Sequence, residues 1–196
     1  MDRYTTRPVV IKELFDTTTY QTILDFMEQI VPIMPKDVDP TGFNRTYAHN
    51  VPFFQTIHHQ LTGYASNLFG EKVKPSYVFL SMYNKGGQCP LHIDRPQCRY
   101  TIDYLIRQDQ KTPWPIAIGP SMTDAERDAI EHPHPEGNQI NEVIKTVDWT
   151  EANLSPNDAV CYSGTNAWHY RPTKSKGKAD LVFFHFVPER FNGPLN

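Results

Sequence analysis

The chain has 196 residues, of which 39% are hydrophobic and 21% are charged, and its formal net charge is -3. These values are typical of one globular domain with one core, so we expect a single domain over residues 1–196. No lysine- or arginine-rich run is present, which argues against binding to nucleic acid. No apolar run approaches the ~20 residues that span a bilayer. The three cysteines form no C-x-x-C pair, which favours a reducing, cytoplasmic location.

The first third of the chain, residues 1–70, is predicted to be helical. Two sets of apolar residues recur at helical spacing, one on either side of a predicted loop at 35–50. Pro32 ends the first set, Pro52 suits the first turn of the second, and Gly70 suits its end. The apolar positions are Ile23, Leu24, Met27, Ile30 and Val31, then Phe54, Ile57, Leu61, Tyr64, Ala65 and Leu68.

From residue 75 onward the pattern predicts strands. Short runs rich in β-branched and aromatic residues are separated by Gly, Pro and Asn. We predict strands at 77–83, 91–95, 99–106, 114–118, 142–147, 158–163, 168–171 and 178–187. About eight strands suit a double-sheet jelly roll. The expected fold is therefore mainly β, with a double-stranded β-helix core over 75–188 and the N-terminal helices packed on one sheet.

One segment, residues 121–141, interrupts this rhythm of strands. Thr123 is followed three residues later by Glu126, the pattern of a capping box at the start of a helix. We therefore expect a short inserted helix there, and the sequence assigns it no role.

Candidate metal ligands lie at His92 and Asp94. Residues two apart on a strand face the same side, so this imidazole and this carboxylate would point together into the sandwich. Fe(II) oxygenases of the facial-triad type add one more histidine and leave the remaining positions open. Two histidines, His169 and His185, lie in the C-terminal strands. If Lys178 faces inward, the even-numbered residues of the last strand do so too and His185 faces away, which selects His169.

The order of these residues resembles that of the 2-oxoglutarate/Fe(II) dioxygenases, and most of all their prolyl-4-hydroxylase-like branch. The likeness covers about residues 75–188, more than half of the chain. A tyrosine strand and a Gly-rich turn precede the H-x-D motif, and a Pro-x-Asp turn, a glycine, a distal histidine and a basic residue follow it. The matching residues are Tyr83, Gly86, Gly87, His92, Asp94, Tyr104, Leu105, Pro156, Asp158, Gly164, His169 and Lys178.

The resemblance implies a set of roles for the matching residues. His92, Asp94 and His169 would bind Fe(II), while 2-oxoglutarate and dioxygen would take the open positions. Lys178 has the family's spacing for the residue that holds the far carboxylate of 2-oxoglutarate. Tyr83 and Tyr104 would line the same pocket. An aspartate at the Asp94 position favours hydroxylation over halogenation.

The sequence departs from the family pattern at two places. Asn157 stands where the family has glycine in the Pro-x-Asp turn, a change that asparagine tolerates because it adopts left-handed conformations. Arg171 lies two residues after His169 and shares its inward direction. Arginine offers a bidentate fork and lysine a point charge, so Lys178 and Arg171 both remain candidates to bind 2-oxoglutarate, with Lys178 slightly preferred for its spacing.

The substrate is less well defined by the sequence. Arg95 should emerge at the mouth of the barrel, where a surface salt bridge and a contact to a substrate carboxylate are equally good interpretations. Arg99 and Trp168 are weaker candidates for the same mouth. We expect a small molecule or free amino acid as substrate. Two alternatives stay open: a cupin-like metalloenzyme that does not use 2-oxoglutarate, and a non-catalytic jelly-roll binding module.

Overall fold

A computed structural model describes residues 7–109, 113–174 and 176–195, whose strands form two antiparallel sheets. The large sheet has seven strands in the spatial order β1 (Val9–Ile11), β9 (Ala159–Tyr162), β6 (Tyr100–Gln108), β11 (Ala179–Pro188), β4 (Val73–Tyr83), β3 (Arg45–His49) and β2 (Asp37–Val38). The small sheet has four, in the order β5 (Cys89–His92), β10 (His169–Arg171), β7 (Ile116–Ile118) and β8 (Thr150–Ala152). The architecture is mainly β, as the strand pattern predicts.

Five α-helices accompany the sheets within the described residues: α1 (Thr17–Gln29), α2 (Pro52–Gln60), α3 (Thr62–Phe69), α4 (Asp124–Asp128) and α5 (Asn138–Thr146). Apolar side chains of the first three helices join those of the large sheet in one core. The predicted start and stop signals are confirmed, since Pro52 occupies the first turn of α2 and Gly70 ends α3 in a left-handed conformation. The second predicted helix is broken into α2 and α3 around Leu61.

The two faces of β11 have opposite environments, and our expectation for them was wrong. Val182, Phe184 and Phe186 pack in the core that contains the helices. Phe183 and His185, on the other face, line a cavity. The even-numbered residues therefore face the helices and His185 faces inward, because the apolar even positions are the ones that the helices cover.

Further elements differ from their predictions, and two of them bear on the site. Residues 142–147, predicted as a strand, lie mostly in helix α5, where Ile140 and Val143 pack with Val147 against a cluster that contains Leu91 and Trp168. Their spacing is that of one helix face, and packing on this face outweighs the β-propensity of valine and isoleucine. Residues 45–49, predicted as part of a loop, form β3 and pair with β4.

The segment 121–141 contains the helix that its capping box predicts. Thr123 accepts a hydrogen bond from the backbone N–H of Glu126, whose side chain accepts one from the backbone N–H of Thr123. Helix α5 begins within the same segment and continues beyond it. Among the residues that the structure describes, no helix has the length and hydrophobicity required to cross a bilayer.

Candidate active site

Side chains of both sheets surround a cavity of about 350 Å³. The large sheet contributes residues from β3, β4, β6, β9 and β11, and the small sheet contributes residues from β5, β7 and β10. Three of the residues that line it, His92, Asp94 and His169, come from the pattern singled out in the sequence. All three predicted metal ligands therefore face the same cavity.

The three predicted metal ligands lie together. His92 Nε2 is 3.3 Å from Asp94 Oδ1, and His169 Nε2 is 3.7 Å from Asp94 Oδ2. One donor atom of each residue lies within 4.8 Å of the others, which is close enough for one ion to contact all three. The strands explain this meeting, because His169 on β10 is the direct partner of His92 on β5.

Hydrogen bonds to the backbone orient both imidazoles. His92 Nδ1 lies 2.7 Å from the carbonyl oxygen of Pro90, and His169 Nδ1 lies 2.9 Å from that of Ala167. A proton on each Nδ1 satisfies those contacts and leaves each Nε2 with a free lone pair directed at Asp94. Metal-binding histidines are commonly held in this tautomer by a second hydrogen bond.

The ionisation of the cluster suits a cation. Burial opposes the charge on Asp94, but His169 and His92 hold the pKa of this carboxyl well below its usual range. Burial, followed by the neighbouring His92, lowers the pKa of His169 to about 4, so this imidazole is neutral at pH 7. Burial also opposes the charge on His92, yet the Cys89 sulfur and Asp94 raise the pKa of His92 well above its ordinary value. A metal ion would displace that proton, as ligand sites require.

The approach of the loop at Gly164 to Asp94 leaves no room for a side chain. The Asp94 backbone N–H donates to the Gly164 carbonyl at 2.9 Å. A Cβ at residue 164 would lie 2.3 Å from Asp94 Oδ2 and 2.5 Å from the Cys98 carbonyl oxygen. Gly164, which the sequence pattern includes, therefore permits the position that Asp94 occupies.

A second donor set shares the same carboxylate. Asp94, Cys98 and His185 also place one donor atom each within 4.8 Å of one another. Cys98 and His185 also have hydrogen-bond partners of their own. Cys98 Sγ lies 2.9 Å from the Tyr77 hydroxyl, and His185 Nδ1 lies 3.0 Å from the Thr101 hydroxyl. His185 is thus beside the predicted ligands, contrary to the elimination made from the sequence.

Of the two basic residues considered for 2-oxoglutarate, only Arg171 lines the cavity. Its Nη2 donates to Asp103 Oδ2 at 2.7 Å, both side chains are almost fully buried, and its guanidinium carbon lies 5.1 Å from the Trp114 ring centroid. Lys178 is exposed, and its backbone N–H donates to Asp109 Oδ2. Lys178 comes directly before β11 and, like the helix-facing residues of that strand, has an even number. Its side chain is therefore on the side of the sheet away from the cavity.

The two tyrosines predicted to line the cosubstrate pocket lie on different faces of the large sheet. Tyr83 lines the cavity, and its hydroxyl accepts a hydrogen bond from Arg45 Nη1 at 2.9 Å. Tyr104 lies in the helix-covered core, where its hydroxyl donates to Asn157 Oδ1 at 3.0 Å. Asn157 has a φ of 72°, the left-handed conformation that its place in the Pro-x-Asp turn predicts.

The three residues predicted to contact the substrate at the mouth of the barrel do not lie together. Arg95 lines the cavity, with its guanidinium carbon 4.5 Å from the Tyr77 ring centroid. Arg99 instead pairs with Asp124 at 2.8 Å and is not among the residues that line the cavity. Trp168 packs with Leu91 in the cluster under α5.

Several cavity residues were missed in the sequence. Arg45 and His49 were missed because β3 was interpreted as a loop. Asp103 left a clearer signal, since an aspartate inside an apolar strand is rarely buried without a partner. Tyr162 left none. Lys174, which is not among the residues that line the cavity, was also missed; it is 1% exposed, and its Nζ lies 5.4 Å from the Trp114 ring centroid.

Comparisons with known proteins identify the class of fold. No protein-family model and no curated protein sequence matches the chain. Solved structures do: the non-heme alpha-ketoglutarate-dependent carbocyclase SnoK from nogalamycin biosynthesis has a TM-score of 0.75 at 11% identity, covering 94% of this chain and 80% of that one. EctD from S. alaskensis gives 0.69 at 12% identity over 98% and 77% of the two chains. HygX from Streptomyces hygroscopicus, solved with nickel and 2-oxoglutarate, gives 0.66 at 12% identity over 95% and 85%.

These likenesses show the fold. The chain has the fold of 2-oxoglutarate-dependent oxygenases, as the sequence pattern implies, and at such identities the activity has to be inferred from the site itself.

Proposed function

We propose that this chain is an Fe(II)- and 2-oxoglutarate-dependent oxygenase that hydroxylates a C–H bond of a small molecule. The observation that carries the proposal is the convergence of His92, Asp94 and His169 on one cavity, within the fold of such oxygenases. The two sheets would then be those of a double-stranded β-helix, within a single domain. Assignment to the prolyl-4-hydroxylase-like branch rests on the sequence pattern alone.

The donor set fits Fe(II). Two imidazole nitrogens and one carboxylate are the ligands of the facial triad, and a backbone carbonyl at Nδ1 orients each imidazole so that its Nε2 faces Asp94. His92, Asp94 and His169 would hold the ion from one side, and the cavity lies on the other. When bound, the iron would supply the activation of dioxygen that C–H oxidation requires. The protein's part is to orient these ligands and to bind the two organic reactants.

We assign Arg171, in place of Lys178, to the far carboxylate of 2-oxoglutarate. Arg171 lies two residues beyond His169, about 7 Å along the strand, a spacing comparable with the length of a five-carbon dicarboxylate. Its guanidinium is buried, so an anion there would meet little competition from water. Tyr83 lines the same end of the cavity and would add a hydroxyl.

The local charges favour an anion at this end of the cavity. Asp103 balances the charge of Arg171, and the buried Lys174 ammonium adds a second positive charge on the Trp114 ring. One carboxylate from outside would neutralise this group of residues, and burial makes such neutralisation favourable. The Asp103–Arg171 pair also supports the alternative of a cupin-like metalloenzyme without 2-oxoglutarate. In this pair Asp103 already balances the charge of Arg171 and accepts one of its hydrogen bonds, so no external carboxylate is required.

The proposal is tested by incubating the protein with Fe(II), 2-oxoglutarate and dioxygen and measuring succinate across a panel of small carboxylic acids and amino acids. We expect iron-dependent succinate that rises with one of these compounds. Zinc or iron binding without any consumption of 2-oxoglutarate would favour the cupin-like alternative. Absence of both metal binding and turnover would favour a non-catalytic binding module.

A further inference from the structure

Among the residues that the structure describes, three arginines line the cavity, and they differ in how their charges are balanced. Arg45 Nε lies 2.7 Å from Asp39 Oδ2, and Arg171 Nη2 lies 2.7 Å from Asp103 Oδ2. Arg95 forms no ion pair with any carboxylate of the described residues and rests on the Tyr77 ring instead. Its positive charge is therefore the one of the three that the fold leaves unbalanced.

Arg95 lies at the opposite end of the cavity from Arg171. Tyr77 and Tyr83 both line the cavity and are six residues apart on β4, which corresponds to about 20 Å along the strand. Arg171 belongs to the Tyr83 end, since the Tyr83 ring and the Arg171 guanidinium both lie against Trp114, and Arg95 belongs to the Tyr77 end. Arg45 lies between them, with its guanidinium carbon 4.8 Å from the Phe79 ring centroid. A ligand held by Arg171 thus leaves the Arg95 end free for a second molecule.

The other basic groups near Arg95 are imidazoles, which carry no fixed charge. His49 and His185 both line the cavity, with their ring centroids 5.7 Å and 4.6 Å from that of Tyr77. Asp94 is the nearby acid, and its carboxylate lies between the imidazoles of the metal ligands. The Tyr77 end therefore offers one cation to a ligand, and a ligand with one negative charge would match it.

The walls between the two ends are aromatic. The Phe79 ring centroid lies 4.6 Å from that of His49 and 6.2 Å from that of Phe183, and all three residues line the cavity. Such a surface favours a flat or apolar body over a polar one. The cavity, at about 350 Å³, is near the lower limit of ligand pockets and must also hold 2-oxoglutarate, which favours a small molecule over a peptide.

We propose that Arg95 and the aromatic wall form a subsite for the primary substrate, and that this substrate is a small monocarboxylate with an apolar or aromatic body. A carboxylate accepts two parallel hydrogen bonds from one guanidinium, whereas a dianionic phosphate would keep an unbalanced charge here. The proposal rests on the function proposed above and adds the chemical class of the substrate.

The test compares a carboxylate probe with its neutral amide. Binding of 3-phenylpropionate and of 3-phenylpropanamide is measured by calorimetry under argon, with Fe(II) and saturating 2-oxoglutarate. Arg95 is solvent-exposed, so we expect the carboxylate to bind only roughly five- to tenfold more tightly, below the full effect of a buried charged contact. In Arg95→Met the two probes should bind equally. Arg99→Met, which changes an arginine outside the cavity, should keep the preference.

Each result decides the proposal. A preference that survives in Arg95→Met, or no binding of either probe to the wild type, would overturn it. The double variant Arg171→Met/Asp103→Asn removes the charged pair at the Arg171 end and should keep the preference; loss in this variant alone would place the probe at that end and also overturn the proposal. Because binding is measured without turnover, Arg95-dependent binding in a protein that never makes succinate would refute only the proposed function.

Discussion

The two faces of β11 differ in what they contact, since one packs in the apolar core and the other lines the cavity. On the helix-facing side, Val182, Phe184 and Phe186 pack into a continuous apolar core. On the cavity side, Phe183 is opposite Asp103 and His185 is opposite Thr101 on β6. Apolar contacts thus stabilise one face, while the other keeps polar groups whose hydrogen bonds are only partly made, such as Asp103 Oδ1, which has no partner in the described residues. Changes on the two faces should therefore be separable by experiment.

The strongest test of the cavity face is the removal of a metal ligand. In His169→Ala we expect iron binding and succinate formation to be lost, because only two protein ligands remain. The matched change His185→Ala, in the same cavity, should retain stoichiometric iron. Iron content measured after anaerobic reconstitution and desalting gives the result, and equal iron content in the two variants would contradict the ligand assignment.

A second change tests the close approach at Asp94. Gly164→Ala should lower iron affinity by about 100-fold, the upper range for disturbing the support of a ligand, because its Cβ would displace the Asp94 carboxylate. Gly63→Ala is the control, since its Cβ meets no atom within 4 Å in helix α3. Competition with a metal-binding dye measures both affinities. Unchanged affinity in Gly164→Ala would show that Asp94 need not hold this position.

The third change concerns the cosubstrate. Arg171→Met/Asp103→Asn removes a buried pair together, since loss of one partner would leave a buried charge. We expect its KM for 2-oxoglutarate to rise at least roughly tenfold, the effect of one lost charge-assisted contact. Lys178→Met should leave KM unchanged. The reverse pattern in a succinate assay would restore Lys178 as the residue that binds the carboxylate.

The helix-facing side should respond through stability. Its one buried imidazole, His58, lies against Phe184 and Phe186, and burial followed by His185 lowers the pKa of His58 to about 3. The unfolded chain binds this proton near the ordinary pKa of 6.5, so between about pH 6.5 and pH 3 the unfolded state carries more protons. The folded state is therefore favoured at neutral pH and loses stability as pH falls through this window.

The size of this effect is measurable. From pH 7 to pH 5 the His58 contribution to the free energy of unfolding should fall by about 2 kcal/mol. In His58→Leu the pH dependence should be flatter by that amount in urea unfolding, while iron binding at pH 7 is retained. Identical slopes for wild type and variant would show that His58 is not a source of the pH dependence.

Local patterns in the sequence predicted the features that neighbouring residues determine. The spacing of His92 and Asp94 placed two candidate ligands together, Thr123 and Glu126 marked the start of α4, and Asn157 was expected in its left-handed turn. Each of these rests on contacts within a few residues. They required no knowledge of how distant elements pack.

The predictions that were wrong concern features that depend on packing between distant elements. The faces of β11 could not be assigned from an assumed direction of Lys178, because the helices decide which face is apolar. The neighbouring strand β6 has the same alternation. Tyr104, the partner of Val182, therefore lies in the core, while Asp103, the partner of Phe183, lies at the cavity together with His185. Residues 142–147 have strand-forming side chains, but their contacts with Leu91 and Trp168 favour a helix. Arg45 was missed because β3 is defined by its pairing with β2 and β4, and the local sequence does not reveal this pairing.

The central claim is that His92, Asp94 and His169 hold iron while Arg171 binds 2-oxoglutarate. A crystal structure of the protein soaked anaerobically with Fe(II) and 2-oxoglutarate, with anomalous scattering recorded at the iron edge, tests both halves at once. We predict one anomalous peak bounded by the Nε2 atoms of the two histidines and by Asp94, with the far carboxylate of 2-oxoglutarate on Arg171. A peak between Asp94, Cys98 and His185, or 2-oxoglutarate at Lys178, would contradict the account.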